Sequence, residues 1–500
     1  MIGVILTYTF VRSVRIYIKT IYSIKWIRKE QSCFQNAPQI IEANIVPDII
    51  LLLPVLREER ELPDLLKQML SLKYPQGKLH IVVITTEKER GDPRTFSKKY
   101  TTIELANETI EQYNGCMKDK FFYHIHFPYR EGNKASQLNF AIQELPKMFP
   151  TISEPKTYIG VYDADSRPDP HTTTYIGWNA TLSQAEGFEF PPAYQQVSIY
   201  FKNFTKLPDT MEGILLKLEA IFQTRWSLGY ELPNYFEQYI NYTNPSKSKL
   251  QFLIDSRLNY FIGHGCFIRL DILHKVGGFP TYSATEDLSL GYILSLLKIP
   301  IKPIPFFDFC EVPISLKILV NQSKAWFATE MSIFLTVQFV KRNYSNVDWI
   351  RVIYLTFQRT IMNVSWALGG VLVLLSILIS FLLPYYAKEF FIFGVISGLS
   401  YTTFGIAYMI FFLKSFDSYR NNEYIQDFYK SMDWKAITLS LIYSPLKSII
   451  NCIGPLLFFY SLLIAKVKHI KPVYLKTERD SFGRNNESKN IGINSDSSQK

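Results

Sequence analysis

The chain has 500 residues, of which 47% are hydrophobic and 20% charged, with a net charge of +10. That length accommodates one large domain and a further element, and a mean hydropathy of +0.02 is high for a purely soluble protein. The basic excess forms no compact basic motif, which argues against a nucleic-acid partner. Much of it flanks apolar runs, so anionic membrane lipid is the expected partner. Five scattered cysteines outline neither a disulfide framework nor a zinc-type pair.

Residues 1–30 begin apolar and continue basic. Arg12, Arg15 and Lys19 fall in one helical stripe opposite Ile and Tyr residues, which predicts an amphipathic helix lying on a membrane surface. A spanning helix and an ordinary packed helix are the alternatives. The positive charges follow the apolar run, unlike those of a cleaved secretory signal. From residue 45 onward strand and helix signals alternate. Asp48–Val55 reads as a buried strand, LPDLLKQMLSL as a helix, Leu79–Thr85 as a strand, Ile103–Tyr113 as a helix and Phe121–Phe127 as a strand. This βα repetition predicts an α/β fold with a mostly parallel, Rossmann-like sheet. The first turn lacks GxGxxG, which gives a dinucleotide redox cofactor little support.

In REGNKASQLNFAI, Gly132 makes a turn and Asn133 is a plausible N-cap, leaving Arg130 and Lys134 within reach of a phosphate or simply solvated. YIGVYDADSRPDP then delivers Asp163 and Asp165 from the end of a strand. One residue apart, the two can point the same way, and they repel unless a cation shares the spot. In QQVSIYF, Gln196 is a candidate to line the same cleft. Further on, GHGCFIRL places His264 between two glycines, either filling a turn or donating to a phosphate or sugar oxygen. Thr285 reads as a helix cap followed by Glu286 and Asp287, where acids are common simply because free amides and the dipole favour them. In VNQSKAWFATEM, Gln322 and Trp326 share a helix face, the pairing of an amide with an indole that suits either a sugar or a bilayer interface.

No residue between Arg359 and Lys388 is charged, and a second uncharged run spans Phe390–Leu413, which predicts a membrane-spanning hairpin. Ala436–Ala465 is interrupted by Pro445, Lys447 and Pro455. It reads as one crossing with a preceding interfacial helix, as a broken hairpin, or as one long kinked helix. The tail from Ser481 is polar and expected to be disordered.

Taken in order, these motifs resemble those of the membrane-bound family 2 glycosyltransferases, which include cellulose, chitin and hyaluronan synthases and non-processive relatives. Pro54 and Glu58 look like the family's proline and acid after the opening strand. Gly132, Lys134 and Asn139 look like its Gly-Lys element. Asp163–Asp165 matches its DxD motif, Thr285–Asp287 its TED motif, and Gln322–Trp326 resembles QxxRW. Leu475–Asp480 is similar to a short signature after the last membrane helices.

The resemblance implies a GT-A nucleotide-sugar-binding domain over 45–330, following the membrane-associated helix of 1–30. An interfacial helical segment at 331–362, a transmembrane region at 363–467 and a disordered polar tail at 481–500 complete the partition. It implies an integral, multi-pass membrane protein with a cytoplasmic catalytic domain, at the plasma membrane if bacterial. Mg²⁺ or Mn²⁺ would sit on Asp165 with Asp163, and Asp287, beside Glu286, would be the general base of an inverting transfer. The donor would be a nucleotide-diphosphate sugar, a UDP-sugar ahead of a GDP-sugar, and the acceptor lipid-linked or a glycan. Pro54, Glu58, Glu87, Arg130, Lys134, Asp163, Gln196, His264, Gln322 and Trp326 would contact the substrates.

Two departures stand out. ITTEKERGD replaces the family's aspartate-rich second loop, leaving Glu87 as the substitute acid, and Ala325 stands where QxxRW has arginine. The second argues against processive synthesis, so non-processive transfer is expected, with a processive polysaccharide synthase and an inactive homologue as the alternatives.

Overall fold

Runs rich in Ile, Leu and Val become strands because each face of an extended chain can bury its side chains against a helical layer. In the computed structural model, which describes residues 2–37, 45–90, 101–115, 121–243, 248–283, 285–382, 392 and 419–467, these runs form β1 (Asp48–Pro54), β2 (Leu79–Thr86), β3 (Phe122–Phe127) and β4 (Thr157–Val161). Four more strands follow, β5 (Arg167–Pro168), β6 (Ala193–Ile199), β7 (Cys266–Arg269) and β8 (Lys302–Phe309). They make one sheet in the order β3-β2-β1-β4-β7-β6-β8-β5. The first four strands are mutually parallel, β7 runs antiparallel to β4 and β6, and β8 runs parallel to β6.

The two-residue period of β1 sorts its side chains between two cores. Ile50 and Leu52 pack with α4 (Lys134–Met148) and α10 (Glu286–Leu296) on one face. Ile49, Leu51 and Leu53 pack with α2 (Leu62–Leu70), α3 (Thr102–Gly115) and α5 (Thr172–Ala185) on the other. This is the α/β domain expected. Because β2 and β3 lie on one side of β1 and β4 on the other, the order reverses between β1 and β4, and their carboxyl ends form the kind of switch point where open α/β sheets bind ligands.

Helix α1 (Ile2–Asn36) lies along the domain, its far end anchored by Phe34 edge-on to Phe306 at 5.4 Å and by Gln31 Nε2 donating to the Pro305 carbonyl at 2.7 Å. After α6 (Met211–Trp226), a π-helical turn (Ser227–Glu231) leads into α7 (Leu232–Thr243). Short helices α8 (Lys249–Asp255) and α9 (Leu270–Lys275) flank β7. Beyond the sheet come α11 (Leu316–Met331), α12 (Ile333–Asn343), α13 (Trp349–Leu382), α14 (Glu423–Ser431) and α15 (Trp434–Val467).

Among the described residues, α15 is the helix long and apolar enough to cross a membrane, by length and composition. The chain's interrupted third apolar region is therefore one helix, with Pro445 and Pro455 inside it. The one charge between Ala436 and Ala465 has a partner: Lys447 is fully buried and paired with Glu219 of α6, so the ion does not meet an apolar surrounding alone. Close approach to α11 requires Gly454, since a Cβ there would lie 2.6 Å from Ser323 Oγ. The charge-free run after Arg359 continues α13 to Leu382. The second run, 390–413, lies outside the described residues apart from 392, as do the signature at 475–480 and the tail at 481–500.

Candidate active site

Strand direction assembles the acidic motifs. β4 ends at Val161, and the chain continues through Asp163 and Asp165. β7 runs the other way with Cys266 opposite Val161, so Gly263, His264 and Gly265 arrive beside the same strand end, and the Gly265 amide donates to the Val161 carbonyl at 2.8 Å. β6 and β8 run parallel to each other and finish at this edge, which adds Gln195, Asp308 and Cys310.

Lys134 is the central cation. It occupies the first turn of α4, where the Asn133 side chain caps the helix by accepting from the Ser136 amide at 3.1 Å. From there Lys134 Nζ donates to Asp163 Oδ1 at 2.8 Å and to the Gly263 carbonyl at 3.0 Å, and it lies 3.3 Å from Glu286 Oε1. Burial pulls the Lys134 ammonium down, but Asp163, Glu286 and Asp287 outweigh it, so it stays charged well beyond the ordinary lysine range. The same helix fixes the turn ahead of α10. Asn133 Nδ2 donates to the carbonyls of Thr281 and Ser283, and Asn139 exchanges hydrogen bonds with both backbone groups of Phe279, each at 2.8 Å.

Asp287 is half-buried in the first turn of α10. Burial and the neighbouring Glu286 charge push its carboxyl up to about 7, partly countered by Lys134. Gly263, with φ of +93°, is the residue that lets Asp287 in: a Cβ there would sit 2.7 Å from Asp287 Oδ2. Thr285 holds the N-cap position, yet its hydroxyl makes no cap bond, contrary to the expected cap. The arrangement therefore offers a carboxylate that titrates near neutrality, facing a cluster of acids held around one lysine.

Lys134, Asp163, Glu286 and Asp287 are brought together as described. Pro54 ends β1 and Glu58 follows in the turn, where its amide donates to Thr102 Oγ1 at 2.9 Å. Asp165 lies half-buried next to Asp163 in sequence, and its charge acts on His264. Glu87 sits beyond the end of β2, paired with His126 at 3.1 Å and Arg90 at 3.4 Å, while Arg130 stays on the exposed turn before α4. Gln322 and Trp326 are half-buried on α11.

Gln196 does not line a cleft. It is fully buried, accepts from the Tyr162 hydroxyl at 2.5 Å and donates to Thr172 Oγ1 at 2.8 Å, so it braces the strand beneath. His264 is likewise buried, with Nδ1 at 2.8 Å from Asp308 Oδ2. Burial pulls its imidazole down, but Asp308, Asp163 and Asp165 more than offset this and raise it.

Sequence reasoning missed Asp308, Arg167 and Cys310. Asp308 Oδ1 accepts the Arg167 amide at 2.8 Å, and the Arg167 guanidinium donates to the carbonyls of Ala164 and Ser166, so the acidic loop is braced from both sides. An aspartate inside the apolar run FFDFC was the available signal, because a buried acid needs partners. His264, Asp308 and Cys310 offer ligand atoms within 4.8 Å of one another. Both Asp308 oxygens are already hydrogen-bonded, however, and burial with the nearby acids holds the Cys310 thiol well above its usual range. A hard divalent ion fits the oxygen donors Asp163 and Asp165 better than this trio, and the excess of carboxylates over cations around them suits such an ion.

No protein-family model and no curated protein sequence matches the chain. Among solved structures it is similar to the mannosyltransferase PcManGT from Pyrobaculum calidifontis in complex with GDP-Man and Mn²⁺, with 10% identity, 90% of this chain and 99% of that chain covered, and a TM-score of 0.44. It is also similar to S. aureus TarS 1-349 in complex with UDP-GlcNAc, with 11% identity, 76% and 89% covered, and a TM-score of 0.35. Likenesses this slight carry no argument, and the function rests on the site's own residues.

Proposed function

We propose that this chain is a membrane-held, metal-dependent inverting glycosyltransferase that moves a sugar from a nucleotide-diphosphate sugar to an acceptor hydroxyl. The observation that carries this is Asp287, seated beside Gly263 and within electrostatic reach of the Lys134 that holds Asp163, its carboxyl pushed up to about 7. In this reading the donor diphosphate lies at the switch point between the ends of β1 and β4. A hard divalent ion, Mg²⁺ or Mn²⁺, would be held by Asp165 with Asp163 and would supply positive charge against the leaving phosphate. Lys134 fixes the Asp163 carboxylate and the Gly263 carbonyl, which sets the distance from the acidic loop to α10. Asp287 takes the proton of the attacking hydroxyl, and direct attack at the anomeric carbon inverts it. Arg167 and Asp308 keep the acidic loop in shape without touching substrate. The departures at Glu87 and Ala325 favour a single transfer over processive synthesis.

The test is paired. Detergent-solubilised protein is incubated with nucleotide sugars and scored for nucleoside diphosphate release. Asp287→Asn should keep metal-dependent donor binding, measured by calorimetry, while transfer falls on the order of 10²-fold or more. Retained transfer would remove Asp287 from the mechanism, and undiminished turnover in chelator would remove the metal.

A further inference from the structure

Helix α1 packs a mixed face on the protein and leaves an apolar stripe outside. The packed face carries Ser13, Thr20, Ser23 and Gln31 beside Ile16, Ile24 and Ile27. Two of the three basic residues of the stripe also turn inward: Arg12 lies over the Trp226 ring and donates to Ser365 Oγ at 3.3 Å, and Lys19 pairs with Glu237 at 2.7 Å. The outer face presents Val11, Val14, Ile18 and Tyr22 at three-four spacing, 56%, 37%, 48% and 66% exposed. In water such a stripe is unfavourable; against acyl chains it is the stable arrangement.

These side chains border a groove of about 450 Å³ between α1 and α7, with Arg15 and the Lys19–Glu237 pair at its edge. Glu237 also meets Arg257 at 3.2 Å, so its single negative charge is met by Lys19 and Arg257, and Arg15, which lines the same groove, leaves it net positive. The Arg12 contact to Ser365 brings α1 against the charge-free part of α13, a helix that also exposes Ile353, Phe357, Ile361 and Val364.

We infer that this groove binds an anionic phospholipid, its acyl chains along Val11, Val14, Ile18 and Tyr22 and its phosphate beside Arg15. The inference rests on the reading of the chain as membrane-held and is independent of its glycosyl transfer. Shape and charge act on different parts of the lipid: the apolar stripe accepts any acyl chain, and the positive edge selects the headgroup.

The experiment uses the full chain in neutral detergent. Native mass spectrometry with phosphatidylglycerol and phosphatidylcholine at equal concentration should show preferential retention of phosphatidylglycerol. Arg15→Gln should cut that preference by about fivefold, the effect of one surface cation. Ile18→Thr should lower retention of both lipids without changing the preference. Both sites are exposed, and matching thermal melts would confirm that the variants fold.

Equal retention of the two lipids by the unaltered chain, or an unchanged preference in Arg15→Gln, would overturn the inference. Displacement of phosphatidylglycerol by millimolar inorganic phosphate would identify a free-anion site and overturn it as well. Flotation with phosphatidylcholine vesicles separates the two levels. A chain that does not float refutes the membrane reading and the lipid site with it, whereas one that floats but shows no lipid preference refutes the lipid site alone.

Discussion

If Asp287 is the general base, the acid limb of the transfer rate reports its ionisation, and burial together with the Glu286 charge sets where that limb falls. The base works only when deprotonated, so activity is full above its pKa, near 7, and falls as pH drops through it. At an effective dielectric of about 20, two unit charges repel by about 1–4 kcal/mol over the separations open to neighbouring carboxylates. Glu286 lies 3.3 Å from Lys134, which offsets part of this. Glu286→Gln should therefore lower the Asp287 pKa by about one unit, or ~1.4 kcal/mol. At pH 6 a base of pKa about 7 is roughly one-tenth ionised and a base of pKa about 6 is half ionised. The rate at pH 6 relative to each enzyme's own plateau should then rise on the order of fivefold in the variant. Normalising to the plateau separates this effect from any direct contribution of Glu286 to turnover. The assay is the initial rate of nucleoside diphosphate release from pH 5 to 9 at saturating donor and metal. An acid limb that stays in place, or moves upward, would refute the assignment of the raised pKa to Glu286. Stability follows the same titration in the opposite sense. A carboxyl raised from 3.8 to about 7 favours the folded state below the lower value, and that contribution is lost as pH rises through the upper one.

Lys447→Met should destabilise the chain by about 3–5 kcal/mol, because Glu219 is left charged and buried, and adding Glu219→Leu should recover most of the loss; chemical denaturation in detergent reads both. Asp308→Asn places an amide donor against either the Arg167 amide or the His264 ring, which should cost about 1–3 kcal/mol in thermal melts and lower the His264 titration followed by NMR. No change in either measurement would show that Asp308 does not brace the acidic loop.

The sheet was legible where burial alone dictates sequence. Asp48–Val55, Leu79–Thr85 and Tyr158–Tyr162 carry the composition of fully buried strands, and they occur as β1, β2 and β4 within a residue or two at each end. Pairing was not legible. Nothing in GHGCFIRL announces that β7 runs antiparallel to β4, yet that direction places His264 beside the acidic loop. The charge in α15 could be seen as an interruption, but Glu219, its partner, lies on α6 far along the chain and only tertiary packing joins them. Periodicity likewise identifies the basic stripe of α1 without saying which side faces the domain. The structure turns Arg12 and Lys19 inward, an outcome set by the partners Trp226, Ser365 and Glu237.

The site was legible through its acids and illegible through its supports, for a physical reason. A residue that does chemistry must present a particular functional group, whereas a residue that holds it in place needs only a complementary donor or acceptor. The far end of α10 illustrates this. Tyr292 donates to Glu330 Oε2 at 2.5 Å, and Glu330 pairs with Arg359, whose guanidinium also lies 5.0 Å from the centre of the Tyr260 ring. Arg359 is the last charge before the apolar run of α13, and Glu330 belongs to the helix of Gln322 and Trp326. The helix that carries Asp287 is therefore tied by one buried hydrogen-bonded chain to α11 and to the apolar helix α13. A shift of α13 moves a partner of α10 directly, so the position of Asp287 depends on how that helix is seated.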